Sequence, residues 1–182
     1  MTVEEIIADP DLRTFAISAG ASLFKVNCVQ CHGSGAQGSQ GYPNLNDDSW
    51  LWGGTPSQIL HTIAHGVRSP TGADTRVSEM PKFGADGILA PADIAKVAEY
   101  VLKLANLDRD EALAAGGEQI FADQCAACHG EAGKGNPELG APQLNDAVWL
   151  ISGTREVILQ QIRAPRHGMM PGWKAKLGDT KV

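Results

Sequence analysis

The feature that most constrains this chain is a pentapeptide that occurs twice. Cys28-Val29-Gln30-Cys31-His32 and Cys125-Ala126-Ala127-Cys128-His129 share the pattern C-x-x-C-H and contain all four cysteines of the 182-residue sequence. In this pattern the two thiols can form thioethers with the vinyl groups of a haem, and the adjacent histidine can bind the iron. The sequence therefore predicts two covalently bound haems c. One is attached at Cys28 and Cys31 with His32 on its iron, the other at Cys125 and Cys128 with His129.

Other uses of paired cysteines are less consistent with this pattern. A zinc ribbon normally separates its two C-x-x-C pairs by about 15 to 20 residues, much less than the separation of Cys28 and Cys125. A thioredoxin-like dithiol needs a βαβ context, and no strand-rich segment surrounds either pair. A disulfide between cysteines of this spacing is sterically awkward.

The two pentapeptides are part of a repeat that extends over both halves of the chain. Each half reads as a helix, the haem motif, a long loop, a short helix and a loop bearing methionine. The matching pairs are Gly20 and Gly117, Phe24 and Phe121, Pro43 and Pro142, Trp50 and Trp149, Thr55 and Thr154, and Met80-Pro81 and Met170-Pro171. We predict an all-α fold of two tandem class I cytochrome c domains, residues 1–106 and 107–182.

A last helix is predicted only in the first half. Pro91 suits its first turn, and an apolar stripe of helical period follows. We expect Gly20 to let the first helix approach this one, with Phe24 packing against Tyr100.

The second half reaches Val182 before a counterpart of this helix, so we expect Gly117 and Phe121 to lack a partner helix and the chain to be a trimmed form of a longer one. Residues 1–19 contain no signal peptide, although haem c is attached in an exported compartment. We therefore also expect an upstream export or anchor segment.

Methionine commonly closes the second axial position of a His-ligated haem in electron carriers. Met80 and Met170 each precede a proline at matching positions of the repeat, and they are the predicted distal ligands. Met169 is the alternative to Met170, and His167 could also replace Met170.

Several further residues are candidates for supporting roles. The carbonyls of Pro43 and Pro142 could accept the N–H of the haem-ligating histidines. Arginines that precede the methionine loops could pair with haem propionates: Arg68, Arg163 and Arg166. Trp50 and Trp149 could pack on the haems or in the protein core, and His61 and His65 are expected to be ordinary packing residues.

Composition excludes some classes of function. The net charge of −6 argues against a nucleic-acid partner, because a phosphate backbone selects a basic surface. No run of apolar residues is long enough for a transmembrane helix. Aromatic residues make up only 5% of the chain, so we expect haem to fill part of each core.

Two stretches together resemble the dihaem subunit, CcoP or FixP, of cbb3-type cytochrome c oxidases. They are residues 43–54, Pro-Asn-Leu-Asn-Asp-Asp-Ser-Trp-Leu-Trp-Gly-Gly, and residues 166–173, Arg-His-Gly-Met-Met-Pro-Gly-Trp. The resemblance implies a non-catalytic subunit on the periplasmic side of the bacterial inner membrane. Such a subunit takes electrons from the cytochrome bc1 complex or a soluble cytochrome c. It passes them to the monohaem cytochrome c subunit and so to the oxygen-reducing catalytic subunit.

The resemblance also implies that the distal ligands are exchanged. Met80 would then cap the haem at Cys125 and Cys128, and Met170 the haem at Cys28 and Cys31; the spacing alone suits either arrangement. The alternative functions are a free dihaem shuttle cytochrome, a dihaem peroxidase with one open iron, and a gas or redox sensor.

Overall fold

The computed structural model describes residues 1–70, 72 and 74–178, and these are arranged as helices and loops. The helices are α1 (Val3–Ala8), α2 (Pro10–Asn27), α3 (Val29–His32), α4 (Pro56–His65), α5 (Pro91–Leu104), α6 (Glu111–Gln124), α7 (Ala126–His129), α8 (Arg155–Arg163) and α9 (Lys174–Leu177). Among the described residues, β-type pairing is limited to isolated bridges. The predicted all-α fold is confirmed.

Side-chain caps fix where the longer helices begin. Asp9 caps α2 by accepting hydrogen bonds from the amides of Asp11 and Leu12. Thr55 and Gln58 form a reciprocal capping box at the start of α4. Proline occupies the first position of α2, α4 and α5, where its fixed φ favours the helix and its missing N–H costs nothing.

The chain forms two compact units that do not coincide with the two repeats. Unit 1 contains Met1–Val77 and Gly168–Val182, and unit 2 contains Ser78–His167. Each unit takes its haem motif from one repeat and its methionine loop from the other. The predicted domain boundary, at residues 106–108, separates the two repeats, and as a domain boundary it stays a prediction. In the structure these residues connect α5 to α6 inside unit 2.

In unit 2 the core forms where α5 packs against α6. Gly117 allows the close approach, because a Cβ there would clash with the backbone carbonyl of Lys96 and would lie 2.9 Å from the Cβ of Tyr100. The rings of Tyr100 and Phe121 are 5.2 Å apart. The expectation that Gly117 and Phe121 lack a partner helix is therefore wrong, because α5 from the first repeat is that partner.

In unit 1, α2 buries none of its residues, and a Cβ at Gly20 would meet no atom within 4 Å. The predicted crossing of Gly20 and Phe24 with Tyr100 is also wrong, since Tyr100 packs on Phe121 in unit 2. The buried apolar residues of unit 1 are Trp52 and Val67 among those described. Residues 179–182, where the second repeat was expected to approach a final helix, lie outside the described part of the chain.

Candidate haem sites

Each C-x-x-C-H motif forms the same local structure. The first cysteine, Cys28 or Cys125, is the C-cap of the preceding helix, and its amide donates to the carbonyl of Phe24 or Phe121 at 2.9 Å. The rest of the motif is a single helical turn that ends at the histidine. The i, i+3 and i+4 spacing on such a turn puts both cysteines and the histidine on one side of it, as attachment of a single haem requires.

The two histidines are held by the same hydrogen bond. Nδ1 of His32 lies 3.1 Å from the carbonyl oxygen of Pro43, and Nδ1 of His129 lies 2.9 Å from that of Pro142. Because a carbonyl only accepts, Nδ1 carries the proton and the lone pair of Nε2 is available to a metal. The predicted role of the two proline carbonyls is confirmed.

The burial of the two histidines differs. His129 is 8% exposed, and this burial lowers the pKa of its imidazole, although the hydrogen bond to Pro142 opposes the shift. A neutral imidazole is the form that binds iron. His32 lies in a half-buried position of the first motif.

The four cysteines differ in exposure. Cys125 is buried, Cys28 is half-buried, and Cys31 and Cys128 are exposed. Burial, followed by the charge of the neighbouring cysteine, raises the pKa of Cys28 and raises that of Cys125 to about 11. The described residues include no group of three or more His, Cys, Asp or Glu side chains placed to hold a metal ion.

Met170 lies in unit 1, with Cys28, Cys31 and His32. It pairs with Val67 by two backbone hydrogen bonds of 2.9 Å. Gly66 permits this contact, because a Cβ there would clash with the backbone carbonyl of Met170. Met170 is half-buried whereas the neighbouring Met169 is 61% exposed, so the geometry favours Met170 of the two.

Met80 lies in unit 2, with Cys125, Cys128 and His129. Its side chain packs against the apolar cluster of that unit, which includes Cys125. The loop that follows is seated on the end of α8, where the carbonyl of Arg163 accepts the amides of Gly84 at 3.2 Å and Ala85 at 2.9 Å. Each unit therefore combines one haem motif with the methionine of the other repeat.

The repeated tryptophans lie against glycines of their own loops. A Cβ at Gly54 would come within 2.7 Å of the Trp50 ring, and one at Gly153 within 2.6 Å of the Trp149 ring. Trp149 also packs against the core of unit 2. These contacts explain why each tryptophan is followed by a glycine at the same distance.

A cationic cluster around Trp52 in unit 1 was not predicted. The guanidinium of Arg76 lies 5.2 Å from the centre of the Trp52 ring, and that of Arg68 lies 6.0 Å from it. Arg68 was a predicted propionate partner, whereas Trp52 and Arg76 were not predicted. Arg76 stands four residues before Met80, as Arg166 stands four residues before Met170, so comparison of the repeats could have found it.

The remaining histidines are placed in two different settings. His61 and His65 stack at 4.7 Å between ring centroids, and both contact Asp74 in unit 1. His167 lies in unit 2, where its Nε2 accepts the backbone N–H of Met80 at 3.0 Å. It was predicted as a substitute for Met170, but the structure places it beside Met80.

Comparison with known proteins identifies the family of the chain. The family model described as cytochrome c matches residues 17–105, and the model described as cytochrome c oxidase, cbb3-type, subunit III matches residues 112–182. The chain belongs to the CcoP/FixP family of cytochrome c proteins. Its two cytochrome c domains carry covalently bound haem c.

The relatives are named as cbb3-type cytochrome c oxidase subunits. FixP of Sinorhizobium medicae is 55% identical over 181 residues, which is 100% of this chain and 62% of the relative. CcoP of Cereibacter sphaeroides is 52% identical over 177 residues, 97% of this chain and 61% of the relative. The chain thus spans about three fifths of the length of these relatives. No described helix is long and apolar enough to cross a membrane.

Proposed function

We propose that this chain relays single electrons through two haems c towards the oxygen-reducing subunit of a cbb3-type oxidase. The observation that carries the proposal is the composition of each unit. A C-x-x-C-H turn with a correctly oriented histidine occurs in the same unit as a half-buried Met-Pro loop. Histidine and methionine together saturate a haem iron, and a saturated iron suits electron transfer rather than binding of a substrate.

The proposed ligand sets cross between the repeats. In unit 1 the haem is attached at Cys28 and Cys31, with His32 and Met170 on its iron. In unit 2 the haem is attached at Cys125 and Cys128, with His129 and Met80. The membership of each unit supports this exchange, because Met170 is paired with Val67 and Met80 packs against the apolar cluster that includes Cys125.

The haem supplies reversible one-electron chemistry, and the protein supplies its ligands, burial and orientation. Cys31 and Cys128 are exposed although the first cysteine of each motif is more buried. A haem bonded to these cysteines would have the corner at the second cysteine near the surface. Such a corner would give electrons a route in and out without movement of the iron ligands.

The names of the relatives support other subunits of a cbb3-type oxidase as partners, and the family resemblance suggests which ones. The proposed acceptors are the monohaem cytochrome c subunit and, through it, the catalytic subunit of the oxidase. The proposed donor is a soluble cytochrome c or the cytochrome bc1 complex. Relatives that are oxidase subunits also support a place on the periplasmic side of the bacterial inner membrane.

Variants with a single haem test both the ligands and their exchange. Replacement of Cys125 and Cys128 by alanine leaves the haem at Cys28 and Cys31. In that background we expect Met170→His to convert the spectrum to bis-histidine ligation and to lower the potential, while Met80→His changes neither. The reciprocal background, with Cys28 and Cys31 replaced, should respond only to Met80→His.

Reversed responses would show that each methionine caps the haem of its own repeat, and responses to neither would overturn both assignments.

Carbon monoxide separates the relay from a peroxidase or a gas sensor. Rapid binding to the untreated reduced dihaem chain would reveal an open iron and contradict the proposal. A shuttle that works without the oxidase would reduce other acceptors as fast as the oxidase subunits.

A further inference from the structure

The hydrogen bond between Met80 and His167 assigns a role that the haem motifs do not. We propose that His167 is the positioning residue of Met80, which means that its imidazole holds the ligand loop at the distance and orientation that the iron requires. The inference rests on the proposed role of Met80 as an iron ligand. His167 acts through Met80 and is not itself placed on the iron.

The chemistry of this contact is defined by its donor. A backbone N–H can only donate, so Nε2 of His167 presents its lone pair and the ring proton is on Nδ1. Met80 is followed by Pro81, which has no amide hydrogen. The amide of Met80 is therefore the backbone donor nearest to the thioether. A hydrogen bond to this amide fixes the backbone from which the Met80 side chain begins.

The repeat shows what this hydrogen bond replaces. In unit 1 the amide of Met170 donates to the carbonyl oxygen of Val67 at 2.9 Å. In unit 2 the corresponding amide of Met80 donates to an imidazole at 3.0 Å. Each acceptor follows the short helix of its own repeat: Val67 follows α4, and His167 follows α8. One ligand loop is thus held by backbone and the other by a side chain.

His167 is itself fixed by the end of α8. The side chain of Gln161 accepts the amide of Arg166 at 3.1 Å and donates to its carbonyl at 3.4 Å. The carbonyl of Arg163 holds Gly84 and Ala85, downstream of Met80. Residues 161–167 therefore hold the Met80 loop at two points along the chain. His167 holds it at the amide of Met80, and Arg163 holds it downstream at Gly84 and Ala85.

The two anchors give a test with an internal control. We compare His167→Ala and His167→Gln in the haem-loaded chain by titrating the ferric protein with imidazole, which competes with a methionine ligand. Loss of one hydrogen bond should raise the imidazole affinity of the Met80-ligated haem by about fivefold. Glutamine offers an acceptor at a similar reach and should restore much of the original affinity. The Met170-ligated haem should be unchanged in both variants, as should both haems in the control His61→Ala.

Met80→Ala identifies the haem concerned, because it should open one site completely. If it changes neither haem, Met80 is not a ligand and the proposed function fails. If it opens one haem while His167→Ala leaves the imidazole affinity of that haem unchanged, or raises the affinity of both haems equally, the positioning role is wrong.

Should His167→Ala yield no holoprotein, Gln161→Leu loosens the same segment with His167 intact. It should raise imidazole affinity at the same haem only, and an unchanged affinity there would count against the proposal.

Discussion

The carboxylate of Glu99 on α5 accepts a hydrogen bond from Nε of Arg155, the first residue of α8, at 2.5 Å. Its other oxygen accepts the amide of Asp110, the N-cap of α6, at 2.7 Å. Glu99 is 4% exposed. One buried side chain from the first repeat therefore joins the beginnings of two helices from the second repeat.

We expect Glu99→Ala to destabilise the chain by about 2 kcal/mol, because it removes three hydrogen bonds from a buried position. Chemical denaturation of the haem-loaded chain measures the change. Asp93→Asn is the matched control, since Asp93 forms an exposed ion pair with Lys96 on the same helix. Its cost should be about 0.5 kcal/mol. Equal losses in the two variants would show that the buried carboxylate of Glu99 has no special role.

Glu99 should also make stability depend on pH. The hydrogen bond from Arg155 lowers the pKa of Glu99 below its ordinary value of 4.5, against the opposing effect of burial. A depressed folded-state pKa contributes stability above the unfolded-state pKa, and this contribution is lost as pH falls through the folded-state value. Unfolding free energy should therefore fall below about pH 4.5 more steeply in the parent chain than in Glu99→Gln. Parallel pH profiles would contradict the assignment.

The glycines Gly20 and Gly117 occupy equivalent positions of the repeat but should respond oppositely to alanine. At Gly117 a methyl group would meet the backbone carbonyl of Lys96, which cannot move without separating α5 from α6. We expect Gly117→Ala to cost about 2 kcal/mol or more. At Gly20 there is open space, and Gly20→Ala should stabilise α2 by about 0.5 to 1 kcal/mol. Thermal unfolding of the two variants decides, and the same sign of change in both would contradict the packing described here.

Local signals in the sequence predicted the elements well. Pro91 and the apolar stripe after it predicted α5 correctly, whereas the two short turns that end at His32 and His129 were not predicted as helical. The carbonyl acceptors at Pro43 and Pro142 were also predicted correctly. These features depend on residues that are close in sequence. For the haem motifs and their proline acceptors, the two repeats also show the same pattern twice.

The partner of α5 was predicted wrongly as α2, because α2 and α6 carry the same Gly-x-x-x-Phe pattern and either could receive it. The short connection from Ala105 to Asp110 favours packing of α5 on α6, since helices joined by a short loop usually pack as neighbours. Comparison of the repeats also directs attention to shared positions. Trp52 lies outside those positions, since its counterpart is Ile151, and its contact with Arg76 depends on the tertiary structure.

The adjacent methionines Met169 and Met170 provide the sharpest test of the unit 1 haem site. Met170 is half-buried and its backbone is paired with Val67, whereas Met169 is 61% exposed. We expect Met170→Leu to abolish the sulfur-to-iron charge-transfer band of one ferric haem and to open that iron to carbon monoxide in the reduced state. Met169→Leu has the same change in chemistry one residue away and should leave both spectra unchanged. Loss of the band in Met169→Leu, with Met170→Leu normal, would transfer the ligand role to Met169.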